Sequence, residues 1–351
     1  MASQIIPDVF DDERLLVAPV RRAAYSDRTA WIMAAMSELA YYRFEGGQDF
    51  LSLAKDLVTL SDAKDVQDQL RRFLAELEIN AEDGRKALED CLAVAGFELI
   101  DVYNVADSQA FLAKKPAVDG KDGMRVLAFR GTEKKLADFK TDLRAELIKP
   151  PEGQAAERIH EGFYQAFISV KNGILEDLAR DPELPLYVTG HSLGGALAIV
   201  ATRFIAKASL GACYTFGSPR VGNLDMGLVF RTPIYRIVNS SDIVPRTPPA
   251  FILTPIIALL RWIPLPLDLV AEFLERFQGY VHFGDMRYLN HVNAAGDDFP
   301  NLRLIANPSL PLRAGWVVSR WISTFGRSGL EDHSISLYRK KLKAYALGRN
   351  K

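Results

Sequence analysis

The sequence predicts an α/β protein in which helices cover both faces of a central, mostly parallel sheet. Short apolar runs of strand length alternate with helical stretches through the second half of the chain. Several of these runs are apolar at nearly every position, as expected for strands buried on both faces. The chain has no internal repeat and no Ser- or Gly-rich linker. We therefore expect a single domain over residues 1–351, with a helical N-terminal part, residues 1–95, packed on it.

The predicted helices come from apolar residues three and four positions apart. Trp31, Met36 and Leu39 follow this spacing near the N-terminus. The stretch 193–206 is apolar on most faces, which indicates a buried helix. In chain order, helix is predicted at 23–45, within 63–95, and at 133–147, 160–180, 193–206 and 334–346.

The predicted strands are short runs of β-branched, aromatic and aliphatic residues bounded by turn residues. The strongest is Met124–Arg130, which follows a turn at Asp119–Gly123. Cys213 lies within another run, Gly211–Phe216, and is expected to be buried. In chain order, the strands are predicted at 97–103, 108–113, 124–130, 186–189, 212–216 and 234–238, with a strand or hairpin within 280–289.

Composition excludes several classes of protein. Hydrophobic residues make up 48% and charged residues 25% of the chain, which is typical of globular proteins and not of disordered chains or coiled coils. The 43 Lys and Arg residues balance the 44 Asp and Glu residues, so no nucleic-acid partner is expected. Two cysteines do not make a disulfide framework. The acidic N-terminus has no apolar core, so no secretory signal peptide is expected there, and the cellular location is left unassigned.

One uncharged run raises the question of a membrane span. Thr247–Leu260 is uncharged but ends at Arg261, and it is short and rich in proline. A spanning helix needs about 20 mostly apolar residues, so no transmembrane span is expected. The alternatives for this run are an exposed apolar cover and a patch that contacts a lipid interface.

The most informative motif is Gly190-His-Ser-Leu-Gly194, a G-x-S-x-G pattern between an apolar strand and a buried helix. In such an elbow the chain turns sharply, the glycines let strand and helix approach, and the central serine holds its hydroxyl exposed in a strained conformation. Ser192 is therefore the predicted nucleophile. The alternative is a plain Gly-rich turn between a strand and a helix.

An elbow serine needs an acid and then a histidine base later in the chain. The five histidines are His160, His191, His282, His291 and His333. The first two precede or adjoin Ser192, and His291 lies in an Asn-rich turn. His333, which opens the last predicted helix, is the favoured base, and His282, in a strand-like alternation, is its rival.

The acid is expected in a loop just past a strand that follows the elbow helix. Asp242 lies there, after Ile234–Val238, and it is favoured over Asp225, which is expected at a helix start. The alternative for Asp242 is an ordinary Asx-turn residue.

Two backbone N–H groups should stabilise the oxyanion: that of Leu193, after the nucleophile, and one from the loop Phe129–Glu133, where Thr132 offers both its N–H and its hydroxyl. The alternative for this loop is a tight strand-ending turn.

Five segments in order resemble the fungal-type class 3 lipase family. They are Val126–Thr132, Val188–Gly195, Thr215–Asn223, Val238–Pro245 and Asp332–His333. The resemblance implies an α/β-hydrolase fold and hydrolysis of carboxylic esters, commonly triacylglycerols, although some relatives are phospholipases or feruloyl esterases. It implies that Ser192 is the nucleophile, Asp242 the acid and His333 the base, with Thr132 and Leu193 as oxyanion donors. It also implies that His160 belongs to a motif that opens a structural helix.

The same resemblance implies a lid within residues 133–147, where Leu136 and Phe139 would belong to an apolar stripe over the site. The alternative is a permanently docked surface helix. Two features depart from the family: the chain lacks the several disulfides common in secreted fungal members, and the stretch 250–277 is longer and more apolar than expected. Leu259 and Trp262 in that stretch are expected to line an acyl-chain groove or rest on lipid, unless the stretch is simply core.

The sequence therefore predicts a serine ester hydrolase, foremost a triacylglycerol lipase that acts through an acyl-enzyme at a lipid–water interface. The alternatives are a phospholipase A1, a short-chain esterase, or a lipid-binding relative that has lost activity. The chemistry requires no cofactor, and no metal cluster is apparent in the sequence. The oligomeric state is not predicted.

Overall fold

The computed structural model of the chain describes residues 8–16, 24–42, 84–105, 108–117, 123–131, 146–205, 211–248, 278–292, 298–309, 311–316 and 328–349, with single positions at 258, 261 and 275. The strands in these residues are β1 (Glu98–Val105), β2 (Ser108–Lys115), β3 (Met124–Phe129), β4 (Leu147–Ile148), β5 (Ile159–His160), β6 (Leu186–His191), β7 (Cys213–Phe216), β8 (Ile234–Asn239), β9 (Asp285–Leu289) and β10 (Leu304–Ala306).

Among the described residues, eight strands form one sheet in the order β1-β2-β3-β6-β7-β8-β9-β10. Within this sheet, the neighbouring strands β3, β6, β7, β8 and β9 pair in parallel. The strands β1, β2 and β10 make antiparallel pairs at the two edges. The strands β4 and β5 form a separate antiparallel pair. The predicted fold class, an α/β protein with a mostly parallel central sheet, is confirmed.

The helices in the described residues are α1 (Asp27–Leu39), α2 (84–94), α3 (Glu161–Leu178), α4 (Leu193–Phe204), α5 (Leu224–Gly227), α6 (311–316), α7 (Ser328–Glu331) and α8 (Ile335–Gly348). Side chains cap several of their N-termini. Ser26 accepts a hydrogen bond from the backbone N–H of Thr29 at α1, and His160 accepts one from Phe163 at α3. A short 3-10 turn covers Val244–Arg246.

Two hydrophobic cores lie on opposite faces of the sheet. Successive side chains of a strand point to opposite faces of the sheet, so each strand contributes to both cores. In β3, Val126 and Ala128 pack in one core, and Leu127 and Phe129 pack in the other. Buried residues of α1, α2 and α8 fill the first core, and those of α3 and α4 fill the second. The central strands are therefore covered on both faces, which leaves the loops at their carboxyl ends to carry polar groups.

Most predicted elements within the described residues are observed close to their predicted bounds. Leu147 is an exception: it was expected at the end of a helix, and instead it pairs with His160 in the β4–β5 ribbon. Residues 63–83, residues 132–145 and most of 250–277 lie outside the described residues, so the predicted lid and the apolar stretch do too. In the described part of the chain, no helix has the length and apolar character that crossing a membrane requires.

The two cysteines are free thiols. Cys213 is buried in β7, as expected, and burial raises the pKa of its thiol to about 12. Cys91 lies in α2 and is partly buried.

Candidate active site

Ser192 occupies a strained turn between β6 and α4. The strand ends at His191, the helix begins at Leu193, and Ser192 between them has φ 58° and ψ −127°. A non-glycine residue held at such angles costs about 1–3 kcal/mol and persists only where its surroundings enforce it. Here the backbone N–H of Ser192 donates to the carbonyl oxygen of Phe216 at 2.9 Å, which extends the β6–β7 pairing into the turn.

The motif glycines are needed because the backbones touch. A Cβ atom on Gly190 would clash with the backbone of Gly194, and one on Gly194 would clash with the carbonyl of Phe129 at the end of β3. The first turn of α4 is therefore pressed against the carboxyl end of β3. The elbow predicted from the sequence is present.

Asp242 and His333 form a close pair beside this elbow. Asp242 follows β8 and is fully buried. Its two carboxylate oxygens each lie 3.0 Å from Nδ1 of His333, a residue in the short segment between α7 and α8. A carboxylate at Nδ1 fixes the histidine tautomer and leaves Nε2 for a second partner.

Asp242 is held by further donors. The hydroxyl of Tyr338, in the second turn of α8, donates to Oδ2 at 2.6 Å, and the backbone N–H of Val244 donates to Oδ1 at 3.0 Å. Burial raises the pKa of Asp242, and the hydrogen bonds from His333, Tyr338 and Val244 oppose that rise by favouring the ionised form. The Val244 contact is the Asx turn that sequence analysis offered as an alternative, so Asp242 makes this turn and also contacts His333.

Gly217 brings the pair and the elbow together. It follows Phe216, to which Ser192 is hydrogen-bonded, and it has φ 57°. A Cβ atom at this position would lie 2.6 Å from Oδ2 of Asp242 and 2.9 Å from Nδ1 of His333. The structure thus brings Ser192, Asp242 and His333 to one site at the carboxyl ends of β6, β7 and β8.

Two polar atoms at this site are unsatisfied. Oγ of Ser192 and Nε2 of His333 are both buried, and neither has a hydrogen-bond partner within the described residues. Buried polar atoms without a partner are uncommon and call for an explanation. A hydroxyl and an imidazole nitrogen held in this state are suited to exchanging a proton with each other or with a ligand.

His191, set aside as a base because it adjoins Ser192, contacts the candidate base. Its ring lies against that of His333, with 4.4 Å between ring centroids, and its Nε2 donates to the His333 carbonyl oxygen at 2.6 Å. Tyr41 donates to Nδ1 of His191 at 2.7 Å. Burial and the neighbouring His333 lower the pKa of His191 well below its ordinary value, so the ring is neutral and holds the backbone of His333 in place.

The residues that precede Asp242 and His333, Ser241 and Asp332, form a second hydrogen-bonded pair. The carboxylate of Asp332 accepts hydrogen bonds from the backbone N–H and the hydroxyl of Ser241, at 3.0 and 2.6 Å. The side chain of Asn239 donates to the Asp332 carbonyl oxygen at 2.8 Å. The residues preceding Asp242 and His333 are thus bound to each other, which fixes the separation of the two loops. No pattern in the sequence indicated this role of Asp332, nor those of Tyr41 and Tyr338.

The remaining predicted positions fall into two groups. Of the oxyanion donors, Leu193 is the first residue of α4, where N–H groups have no intrahelical acceptor. The chain just before Thr132 lies against the elbow, because a Cβ atom on Gly131 would clash with Tyr41 and come 2.6 Å from the His191 carbonyl oxygen. The predicted residues outside the described part of the chain are Thr132, Leu136, Phe139, Leu259 and Trp262.

The rival residues lie in other roles. His282 donates from Nε2 to the carbonyl oxygen of Pro245 at 2.5 Å. Asp225 is in the first turn of α5, as expected of a helix start, and His160 caps α3. The described residues contain no group of three or more His, Cys, Asp or Glu side chains that could hold a metal ion.

Residues 126–252 match the family model "Lipase (class 3)". This region of the chain is similar to the class 3 lipase family. It contains the end of β3, the elbow and the loop that carries Asp242. The family resemblance of the sequence motifs is confirmed.

Three curated proteins are similar to parts of the chain. The toxin TseL of Vibrio cholerae is 28% identical over 64% of this chain and 37% of its own length. The secreted mono- and diacylglycerol lipase 1 of Fusarium solani is 39% identical over 26% of this chain and 30% of its own length. Phospholipase A1-Igamma2 of Arabidopsis thaliana is 30% identical over 48% of this chain and 37% of its own length. The chain therefore spans about a third of the length of these relatives.

Among solved structures, the Rhizomucor miehei lipase propeptide complex is 22% identical, with a TM-score of 0.44 over 62% of this chain and 63% of that one. The fold assignment therefore comes from the sheet order and the two cores, not from this superposition.

Proposed function

We propose that this protein is a serine ester hydrolase that cleaves the carboxylic esters of lipids. The observation that carries the proposal is the pairing of buried Asp242 with His333 beside the strained turn at Ser192, whose Oγ has no hydrogen-bond partner within the described residues. Nucleophile, acid and base then stand in the chain order Ser, Asp, His that an elbow serine requires.

In the first half of the reaction, Ser192 attacks the ester carbonyl carbon while Nε2 of His333 takes the hydroxyl proton. The imidazolium that forms is stabilised by the Asp242 carboxylate, which keeps its negative charge throughout. His333 then returns the proton to the leaving alcohol, and an acyl group remains on Ser192. In the second half, His333 takes a proton from a water molecule while the water oxygen attacks the acyl carbon. The bond between the acyl carbon and Oγ of Ser192 then breaks, His333 returns the proton to Oγ, and the fatty acid leaves.

The developing negative charge on the carbonyl oxygen needs preorganised donors. The backbone N–H groups of Leu193 and Thr132 are proposed for this role, and the close packing of Gly194 on the end of β3 supports it. Removing one such donor costs roughly 10²- to 10³-fold in kcat in other enzymes.

Triacylglycerol is the proposed substrate class. The family match and the likeness to a mono- and diacylglycerol lipase support an acylglycerol. A phospholipase A1 activity is the second candidate, because a 30% identical relative carries that name. Leu136 and Phe139 are proposed to close over the site, and Leu259 and Trp262 to contact the acyl chain or the lipid surface.

A hydrolysis panel tests the proposal. Wild-type protein and Ser192→Ala are compared on p-nitrophenyl butyrate, triolein emulsion and phosphatidylcholine vesicles, with circular dichroism to establish that the variant folds. We expect hydrolysis by the wild type alone, with triolein the preferred long-chain lipid. Faster release of fatty acid from the phospholipid would replace the substrate assignment, and equal rates for wild type and variant on every ester would overturn the proposal.

A further inference from the structure

A group of basic side chains lies behind the loop that carries Asp242. Arg236 is in β8, Arg220 follows β7, Arg246 is in the 3-10 turn, His282 precedes β9 and Arg313 is in α6. Arg313 interacts electrostatically with each of the other four. Strands and loops that are far apart in sequence thus bring four guanidinium groups and an imidazole to one place, which we call the arginine cluster.

The acidic group that the described residues place near the arginine cluster is Asp242, which interacts electrostatically with Arg246. Within the described part of the chain, none of its arginines forms an ion pair with a carboxylate. Arg220 donates instead to the backbone carbonyl oxygens of Arg246, at 2.7 Å, and Pro248. Arg313 makes a 3.6 Å contact with the sulfur of Met286.

Three buried nitrogen atoms of the cluster are unsatisfied. Nε of Arg236, Nε of Arg313 and Nδ1 of His282 have no hydrogen-bond partner within the described residues. Arg236 is the most deeply buried residue of the cluster, with only 7% of its surface exposed. Elsewhere in the fold a buried arginine is paired: Arg203 binds both carboxylate oxygens of Glu157, at 2.7 and 2.8 Å. Within the described residues, Arg236 has no comparable carboxylate partner, and its Nε has no hydrogen-bond partner.

Gathering unpaired positive charges is costly. Burying an ion without a partner is unfavourable, and like charges add repulsion. Burial, followed by the neighbouring arginines, lowers the pKa of Arg236 to about 9, and burial followed by Arg313 lowers that of Arg220 to about 10. An anion with several oxygen atoms would remove both penalties.

We propose that the arginine cluster binds a phosphate group. A phosphate offers several acceptor oxygens and up to two negative charges, which guanidinium groups match with paired, charge-assisted hydrogen bonds. Arg236 and Arg313 contribute the buried, unsatisfied donors, and Arg220 and Arg246 add positive charge from the loops. The group would come either from free phosphate or a phosphomonoester, or from the phosphodiester of a lipid headgroup.

The arginine cluster is connected to the segment after Asp242. His282 bonds the carbonyl oxygen of Pro245, and Arg220 bonds those of Arg246 and Pro248. A bound phosphate group would hold these side chains and so brace the segment that follows Asp242. None of the five side chains belongs to the proposed triad, so phosphate binding can be measured apart from hydrolysis.

Isothermal titration calorimetry with inorganic phosphate, at constant ionic strength in chloride, tests the proposal on the full chain. We expect saturable binding by the wild type and by Ser192→Ala, and at least tenfold weaker binding by Arg236→Met, which removes the deepest donor. Exposed Arg231, outside the arginine cluster, gives the matched control Arg231→Met, which should bind like the wild type. If Arg236→Met does not fold, Arg313→Met takes its place.

Thermal unfolding supplies an independent reading. Without phosphate, Arg236→Met should melt no lower than the wild type, because an unpaired buried charge has been removed. With phosphate, the wild type should gain about 2 °C or more and the variant should not. Glycerol 3-phosphate and glycerophosphocholine then distinguish a monoester ligand from a headgroup diester. No saturable binding by the wild type, or equal binding by Arg236→Met, would overturn the proposal.

Discussion

Replacing Tyr338 by Phe tests how Asp242 is kept ionised in a fully buried position. The Tyr338 hydroxyl donates to Oδ2 of Asp242 at 2.6 Å and accepts from the backbone N–H of Asn239 at 2.9 Å. Burial already raises the pKa of Asp242, and the Tyr338 hydrogen bond lowers it because it stabilises the carboxylate. Tyr338→Phe should therefore raise this pKa further.

The magnitude follows from the strength of the lost bond. A hydrogen bond to a charged group contributes about 1.5–3 kcal/mol. Since one pKa unit corresponds to about 1.4 kcal/mol, the acid limb of the kcat/KM profile should move by roughly one to two pH units at most. The move is toward higher pH, because Asp242 is protonated earlier as the pH falls and a neutral acid cannot stabilise the His333 imidazolium.

The assay is the pH dependence of kcat/KM on a soluble p-nitrophenyl ester, for wild type, Tyr338→Phe and the control Tyr345→Phe on the same helix. The control should keep the wild-type profile. A purely structural role for Tyr338 would lower the melting temperature and leave the acid limb in place. That result, with unfolding excluded over the pH range, would refute the reasoning about Asp242.

Three further predictions concern the proposed roles of individual residues. His333→Ala should lose nearly as much kcat as Ser192→Ala, since such residues act as a unit, whereas His282→Ala should keep most activity; a larger loss for a folded His282→Ala on p-nitrophenyl butyrate would reverse the assignment of the base. Thr132→Val should lower kcat roughly 10²- to 10³-fold with little change in melting temperature if the side chain assists the oxyanion, and a change in KM alone would assign Thr132 to substrate binding. Replacing Leu259 and Trp262 by Ser should reduce hydrolysis of triolein emulsion far more than that of p-nitrophenyl butyrate, and equal losses accompanied by a lower melting temperature would place these side chains in the core.

Much of the fold was predictable because its signals are local. The strand β3 and the helix α4 could be predicted from the spacing of apolar residues along the sequence. The elbow at Ser192 could be predicted from glycines at fixed positions around it. Leu147 shows the limit of this reasoning. Its strand exists because of a pairing with His160, thirteen positions along the chain, which a helical pattern in the sequence does not reveal.

The candidate site also has a part that the sequence predicts and a part that it does not. Ser192, Asp242 and His333 could be proposed from their order in the chain and their places after strands or before a helix. The contacts of Tyr338 and His191 could not, because they depend on how α8 packs over the ends of β6 and β8. Tyr338 resembles any apolar helix position in the sequence, and His191 was dismissed for being next to Ser192. The arginine cluster gave no signal either, since arginines spread from 220 to 313 are ordinarily surface residues.

The central claim, that Ser192 is an activated nucleophile, is tested most directly by labelling with an organophosphorus ester. The adduct is located by mass spectrometry in the wild type, in Ser192→Ala and in His333→Ala. The account predicts one adduct per chain on Ser192, loss of hydrolysis in step with labelling, slow labelling of His333→Ala and none of Ser192→Ala at this position. An unlabelled wild type that still hydrolyses esters, or a label on another residue that abolishes activity, would contradict it.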